Sequence, residues 1–282
     1  VETLSHSDII NTCIRNFDPD KTKMFRIMSS IPELFSTTLL VDPKEISARN
    51  ATILNRCMKA KHINISCTNG TNLDIELDNS KFSWISNRGL WRPGSTIILP
   101  AGEVATFPAN INGTLVADVA YNINTVIDRD VRLQKHPVTV TVKDGKAVDH
   151  FCTCKDTMDY IDECFKSTNG NIVGELGIGT NLSITNPISE NSQINERFPG
   201  VHLGFGQHNQ GERVDYYSER HIDLISKGGF IVIDGEADII DLGNVIPSYG
   251  AHPARVQTED AFSPESCCWC GRTRHSLFTI CA

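Results

Sequence analysis

The sequence lacks any run of about 18 consecutive apolar residues, so no segment reads as a helix that crosses a bilayer. It also lacks a basic run or an aromatic-interleaved basic patch. Its 26 Lys and Arg against 34 Asp and Glu leave a formal charge of −8. That sign excludes a nonspecific electrostatic grip on nucleic acid or on an anionic membrane surface. No repeat of fixed period is present, which excludes a solenoid or propeller. The opening residues VETLSHSDIINTC are polar and acidic and do not resemble a signal peptide, so the expectation is a cytoplasmic chain.

Cysteine is not scarce, but a recognisable cysteine pattern is. The ten cysteines (Cys13, Cys57, Cys67, Cys152, Cys154, Cys164, Cys267, Cys268, Cys270 and Cys281) read mostly as free thiols of a reducing compartment. The N-x-S/T triplets at Asn50, Asn64, Asn69, Asn112 and Asn181 would carry no sugar there. Cys267-Cys268-Trp269-Cys270, followed by His275 and Cys281, offers zinc-ligand types without a zinc-ligand spacing.

What is present is an ordinary globular composition, 40% hydrophobic and 21% charged over 282 residues, enough for a substantial core. Apolar spacing predicts a helix over residues 4–17 and, behind Asp42 as N-cap and Pro43 at the first helical position, another to about Lys61. The period then changes to two. HINISCTNGTNLDIELDNS predicts a hairpin turning at Asn69-Gly70, and PVTVTVKDGKAVDHFCTC a second turning at Asp144-Gly145. Between them a strand is expected over 96–99, leading into Glu103, and another over 113–124. A helix follows from Asp156 to about Lys166, then short strands separated by glycine turns. The fold class is α+β: a β-rich catalytic body of mixed or antiparallel strands over 63–245, a small helical N-terminal part over 1–62, and a Cys-rich tail over 246–282. The tail is expected to be flexible or weakly docked, with a second metal site or a packed terminal element as alternatives.

One triplet organises the functional reading. In Arg220-His221-Ile222-Asp223-Leu224 an imidazole and a carboxylate alternate with apolar residues, so a strand would point His221 and Asp223 to one face. Glu103 in LPAGEVATFP, Glu175 in GELGIGTN and His202 in GVHLGFGQH stand in similar short runs beside glycine, where exposed ligands are often built. Two imidazoles and three carboxylates suit Zn, Co or Mn, and a pair of such ions can acidify a water and polarise a carbonyl. Each residue also has a plainer reading. The histidines could be hydrogen-bonded core groups, the glutamates could pair with Arg88 or Arg92, and Asp223 could be a cap.

LPAGEV, GELGIGTN, GVHLGFG and RHIDL, in that order, resemble the catalytic half of the thermophilic metalloaminopeptidases of the aminopeptidase T and aminopeptidase S type, over roughly residues 63–240. The resemblance implies a dinuclear site at Glu103, Glu175, His202, His221 and Asp223, with Glu175 bridging two divalent ions. It implies a short peptide or amino-acid amide as substrate, and a possible homodimer. Glu175 and His208 are the candidates for the general base. A related branch resembles the 2,5-dihydroxypyridine ring-cleaving dioxygenases, which implies mononuclear Fe(II) held by His202, His221 and Asp223. A homologue that binds without catalysis is the third alternative.

Overall fold

The computed structural model describes residues 24–27, 31–32, 34–90, 96–236, 239–249, 256–258, 262–263 and 266–267. The helix expected over 4–17 lies outside the described residues, as do Cys268, Cys270, His275 and Cys281 of the tail. In chain order the strands are β1 (Met24–Ile27), β2 (His62–Ser66), β3 (Asn72–Glu76), β4 (Trp84–Asn87), β5 (Thr96–Leu99), β6 (Glu103–Thr106), β7 (Asn110–Ala117), β8 (Ala120–Ile123), β9 (Val138–Lys143), β10 (Lys146–Cys152), β11 (Val173–Gly179), β12 (Gly200–Gly206), β13 (His221–Lys227), β14 (Phe230–Ile233), β15 (Ile239–Asp241) and β16 (Val256–Thr258). The helices are α1 (Pro43–Cys57) and α2 (Lys155–Lys166).

Two seven-stranded sheets make the body, ordered β10-β9-β7-β3-β2-β14-β15 and β16-β4-β6-β11-β12-β13-β8. Every pairing in them is antiparallel except β16 with β4. With only short helical pieces beside them, the architecture is α+β. The first sheet follows the alternation written in its sequence. Ile63 and Ile65 on β2, Leu73 and Ile75 on β3, and Val138, Val140 and Val142 on β9 are buried, while Asp74, Thr141 and Lys143 face outward. Both predicted hairpin turns are present. Asn69 Oδ1 accepts a hydrogen bond from the Thr71 amide at 3.0 Å, and Asp144 and Gly145 take the left-handed backbone that the second turn needs.

Two expectations are corrected. The single strand predicted over 113–124 is two: β7 ends in the first sheet and β8 begins in the second, with only Asp118 and Val119 between them. The Asp118 carboxylate accepts from the Lys227 amide at 2.9 Å where the chain changes sheets. The second helix ends at Cys57 rather than Lys61, because Lys59 and Ala60 bond back in tighter turns before β2 takes over the period of two. Its start is as expected, with Asp42 Oδ1 accepting from the Lys44 amide at 2.8 Å and Pro43 opening the first turn.

A single apolar cluster lies between the sheets and also takes in Ile53, Leu54 and Cys57 of α1. Asn50 of α1 donates to the carbonyls of Asn87 and Glu103 at 3.0 Å each, and Thr180 donates to Asn50 Oδ1 at 2.6 Å. α1 is thereby fixed to the ends of β4, β6 and β11, where the polar face of the second sheet begins.

Candidate metal centre

The second sheet is buried on both faces: every residue of β6, β11 and β12 is buried. Directly opposed residues of an antiparallel pair share a face. Register therefore places Val104, Leu176, Ile178, Val201, Leu203, Phe205, Ile222 and Leu224 on the core side. The other side carries Glu103, Glu175, His202, His221 and Asp223 together with Gly177, Gly179, Gly200, Gly204 and Gly206.

Glu175 shares that side with Gly177 and Gly179 by ordinary alternation, and β11 carries a bulge just before it. Val173 pairs with Phe205 and Glu175 with Gly204, so two residues on one strand are spanned by a single step on the other. Without that shift Val173 would lie on the polar side with Glu175 instead of packing in the core.

Glycine makes room for the polar side chains. Gly204 lies between Glu175 on β11 and Asp223 on β13, opposite both. A Cβ there would stand 2.7 Å from His221 Cε1, 2.8 Å from Asp223 Oδ1 and 2.9 Å from Glu175 Cβ. Gly177 is opposite His202, whose imidazole lies across it, and a Cβ on Gly177 would collide with that ring. Side chains from strands that are not neighbours thus meet above the glycine floor.

All five residues expected in a metal site converge, in two overlapping groups. Ligand atoms of Glu103, Glu175 and His202 lie within 4.8 Å of one another, and so do those of Glu175, His221 and Asp223. His202 Nε2 is 3.2 Å from Glu103 Oε1 and 3.6 Å from Glu175 Oε1, and His221 Nε2 is 3.0 Å from Asp223 Oδ1. His221 Nδ1 donates to the Gln207 carbonyl at 2.6 Å, which turns Nε2 toward Asp223 and the cluster. Asn209 Nδ2 donates to Glu175 Oε2 at 2.8 Å.

His208 joins neither group. Its Nε2 donates to the Tyr216 carbonyl at 2.9 Å, its Nδ1 accepts from the Gln210 amide at 3.1 Å, and its ring packs edgewise on Phe107 and Tyr216.

The residues fit a cation. His202 is fully buried, yet among the described residues neither of its ring nitrogens makes a well-directed hydrogen bond, and neither Asp223 oxygen accepts a well-directed one. Such groups are costly to bury without a partner. In the bare protein, protons stand in for the missing charge. Burial opposes a charge on His202, but the approach of Glu103 and Glu175 pushes its pKa well up. Burial likewise opposes a charge on His221, but Asp223 raises it to about 10, and His221 in turn lowers Asp223 to about 2 against the same burial. Burial raises Glu175. The set can hold a divalent cation in place of those protons.

Four residues beside the cluster carry no motif of their own. Glu196 and Arg197, on a short turn (Asn195–Arg197) packed against β8, β11 and β13, are buried beside the cluster. Arg197 pairs through Nη1 with Glu103 Oε2, and with Glu196 Oε2 at 2.9 Å. Asn122 of β8, directly opposite Asp223, donates to Glu196. Burial and the charge of Asp223 push the Glu196 carboxyl well up. Asn87 on β4 is directly opposite Glu103, 1% exposed, with no partner for its side-chain amide. The only sequence signal for Glu196 and Arg197 is their position just before the GVHLGFG strand.

Residues 109–223 match the model of the crocagin biosynthetic protein CgnE/B family, a stretch that holds Glu175, His202, His221 and Asp223 but not Glu103. No curated protein sequence matches the chain. Among solved structures, 2,5-dihydroxypyridine dioxygenase from Pseudomonas putida KT2440 superposes with a TM-score of 0.58 at 16% identity, over 90% of this chain and 71% of that one. AmpT, aminopeptidase T, from Thermus thermophilus does so with a TM-score of 0.51 at 15% identity, over 76% of this chain. The chain spans 57% of the length of AmpT. The likeness at these identities is one of fold, and the fold is a scaffold shared by an aminopeptidase and a dioxygenase.

Proposed function

We propose that the protein is a metal-dependent hydrolase that removes the N-terminal residue of short peptides or amino-acid amides, with a pair of divalent ions bridged by Glu175. The observation that carries this reading is that Glu175 belongs to both groups of converging ligands, Glu103 and His202 completing one and His221 and Asp223 the other. Ions so held would lower the pKa of a bound water and polarise the scissile carbonyl.

The chain's own residues prepare that chemistry. Gln207 fixes the tautomer of His221, Asn209 orients Glu175 through one oxygen, and Arg197 holds Glu103. Of the two candidates for the general base, Glu175 is the one that stands in the cluster, where it would pass a proton from water to the leaving amine. His208, bonded to backbone through both nitrogens, orders the loop after β12 instead. A single Fe(II) bound by His202, His221 and Asp223 is the competing reading. It draws support from the dioxygenase scaffold, while the close groups place His202 with Glu103 and His221 with Asp223.

The test is elemental analysis of protein purified without added metal, joined to an aminoacyl-amide hydrolysis assay under air and under argon. Two divalent ions per chain and hydrolysis indifferent to oxygen are expected, both lost in Glu175→Ala. One iron per chain with oxygen consumption would overturn the reading.

A further inference from the structure

Arg197 does not touch the two ligand groups equally. Its guanidinium is 2% exposed and permanently charged, and it is spent on Glu103 and Glu196, with Nε 3.4 Å from the Pro100 carbonyl. Among the described residues no ion pair joins it to His202, His221 or Asp223. Glu103 is the carboxylate that the first group has and the second lacks. One of its oxygens, Oε2, is already paired with a permanent cation, and only Oε1 faces His202. Among the described residues no guanidinium or ammonium is paired with Asp223 in the second group: its close partner is the imidazole of His221, itself a member of that group.

We propose that Arg197 is a positioning residue that makes the two ion positions unequal, so that the Glu175/His221/Asp223 position loads first and the Glu103/Glu175/His202 position second and more weakly. The inference rests on the dinuclear reading above. It follows from charge at close range. A cation entering beside a carboxylate held by a permanent guanidinium gains less than one entering beside a carboxylate whose close partner is itself a member of the ligand set, and it meets like charge in a site of low dielectric. The same guanidinium fixes the direction in which Glu103 presents Oε1, so removing it changes both the strength and the geometry of the second position.

The experiment is calorimetric titration of the chelator-stripped full chain with Co2+, the absorption spectrum reporting coordination at each step. Two steps are expected, the first at least tenfold tighter. Glu103→Gln should abolish or weaken the second step and leave the first within about threefold. Arg197→Met should narrow the gap between the steps, and Arg197→Lys should restore it. If Arg197→Met does not fold, the double variant Glu103→Gln, Arg197→Met, which removes the buried pair as a unit, should show the first step alone. Steps of equal affinity, saturation at one ion with Glu103→Gln silent, or loss of the first step in Glu103→Gln would each overturn the inference. Absence of any binding in the unaltered protein would instead overturn the metal-dependent reading itself.

Discussion

The two sheets are built from the same kind of antiparallel strand and solve opposite problems. In the first, each strand has one apolar and one wet face, and the outward positions of β3 (Asn72, Asp74, Glu76) are exposed to solvent. In the second, the face away from the core is also buried, and it carries charge. Burying charged groups on a sheet is tolerable only if they meet one another or an ion. The glycines let them meet. A sheet face with Glu175 and Asp223 on strands separated by a third can bring those groups together only where the middle strand has no side chain, as at Gly204. Replacing that glycine breaks the contrast most directly. Gly204→Ala should lower affinity for a divalent ion by more than 100-fold and cost stability as well, because its methyl would press on Glu175, His221 and Asp223 at once. Gly145→Ala, in a hairpin turn of the first sheet where a Cβ meets nothing within 4 Å, should cost only about 1 kcal/mol of backbone strain and leave metal binding intact. Calorimetric titration and thermal unfolding of the two variants check both.

The next effect in size belongs to the first sheet and should be purely structural. Ile65 is fully buried between β3 and β14, so Ile65→Ala should destabilise by about 2–5 kcal/mol in denaturant unfolding while ion affinity at saturating folded protein stays unchanged. A parallel loss of affinity would mean that the two sheets are not separable in function.

How far the sequence speaks differs between the sheets for the same reason. HINIS and NLDIE announce their pairing by alternation, and Asn69-Gly70 marks the turn. The residues that converge were legible too, because Glu103, Glu175, His202, His221 and Asp223 sit in short glycine-flanked runs, and alternation alone puts His221 beside Asp223. The bulge at Gly174 was not legible: nothing local says that one residue is extra, and a regular reading of VGELGIG puts Val173 on the polar side with Glu175, Gly177 and Gly179. Glu196, Arg197 and Asn122 were missed because their role depends on a turn folding over the sheet, a contact between segments far apart in sequence. His208 looked like a base because it follows the His202 strand, but the backbone groups that occupy both its nitrogens come from the loop it orders.

A smaller effect sharpens the electrostatic half of the comparison. His221 is raised from an ordinary 6.5 to about 10, so the stability it lends the ion-free protein is full below 6.5 and is lost as pH rises through 10. Asp223, lowered from 3.8 to about 2, contributes above 3.8 and loses its contribution as pH falls through 2. An entering ion must displace the proton of His221, so its apparent affinity should strengthen by about tenfold per pH unit for each proton released between pH 6.5 and 9. Titrations in buffers of different ionisation enthalpy count those protons. At high pH the ion-free protein should melt lower, and added ion should raise its melting temperature by more than it does near neutrality. An affinity flat across that range would mean that His221 is not a ligand.

The smallest expected effect lies on the outer face of the first sheet. There His62 of β2 meets Asp74 of β3 with Nε2 to Oδ1 at 2.5 Å, both side chains largely open to water. Like His221 with Asp223 it sets an imidazole beside a carboxylate on one sheet face, here across two strands and there two residues apart on one strand. The surroundings reverse its value. Water already solvates both groups, side-chain freedom is lost when they pair, and salt screens what remains. Asp74→Ala should therefore change stability by less than about 1 kcal/mol, with the difference shrinking further in high salt. Asp223→Ala, the same deletion on the buried face of the second sheet, should strand His221 without its carboxylate and remove the ion. Equal costs for the two deletions in the ion-free protein would show that burial of the second face is not what gives its residues their chemistry.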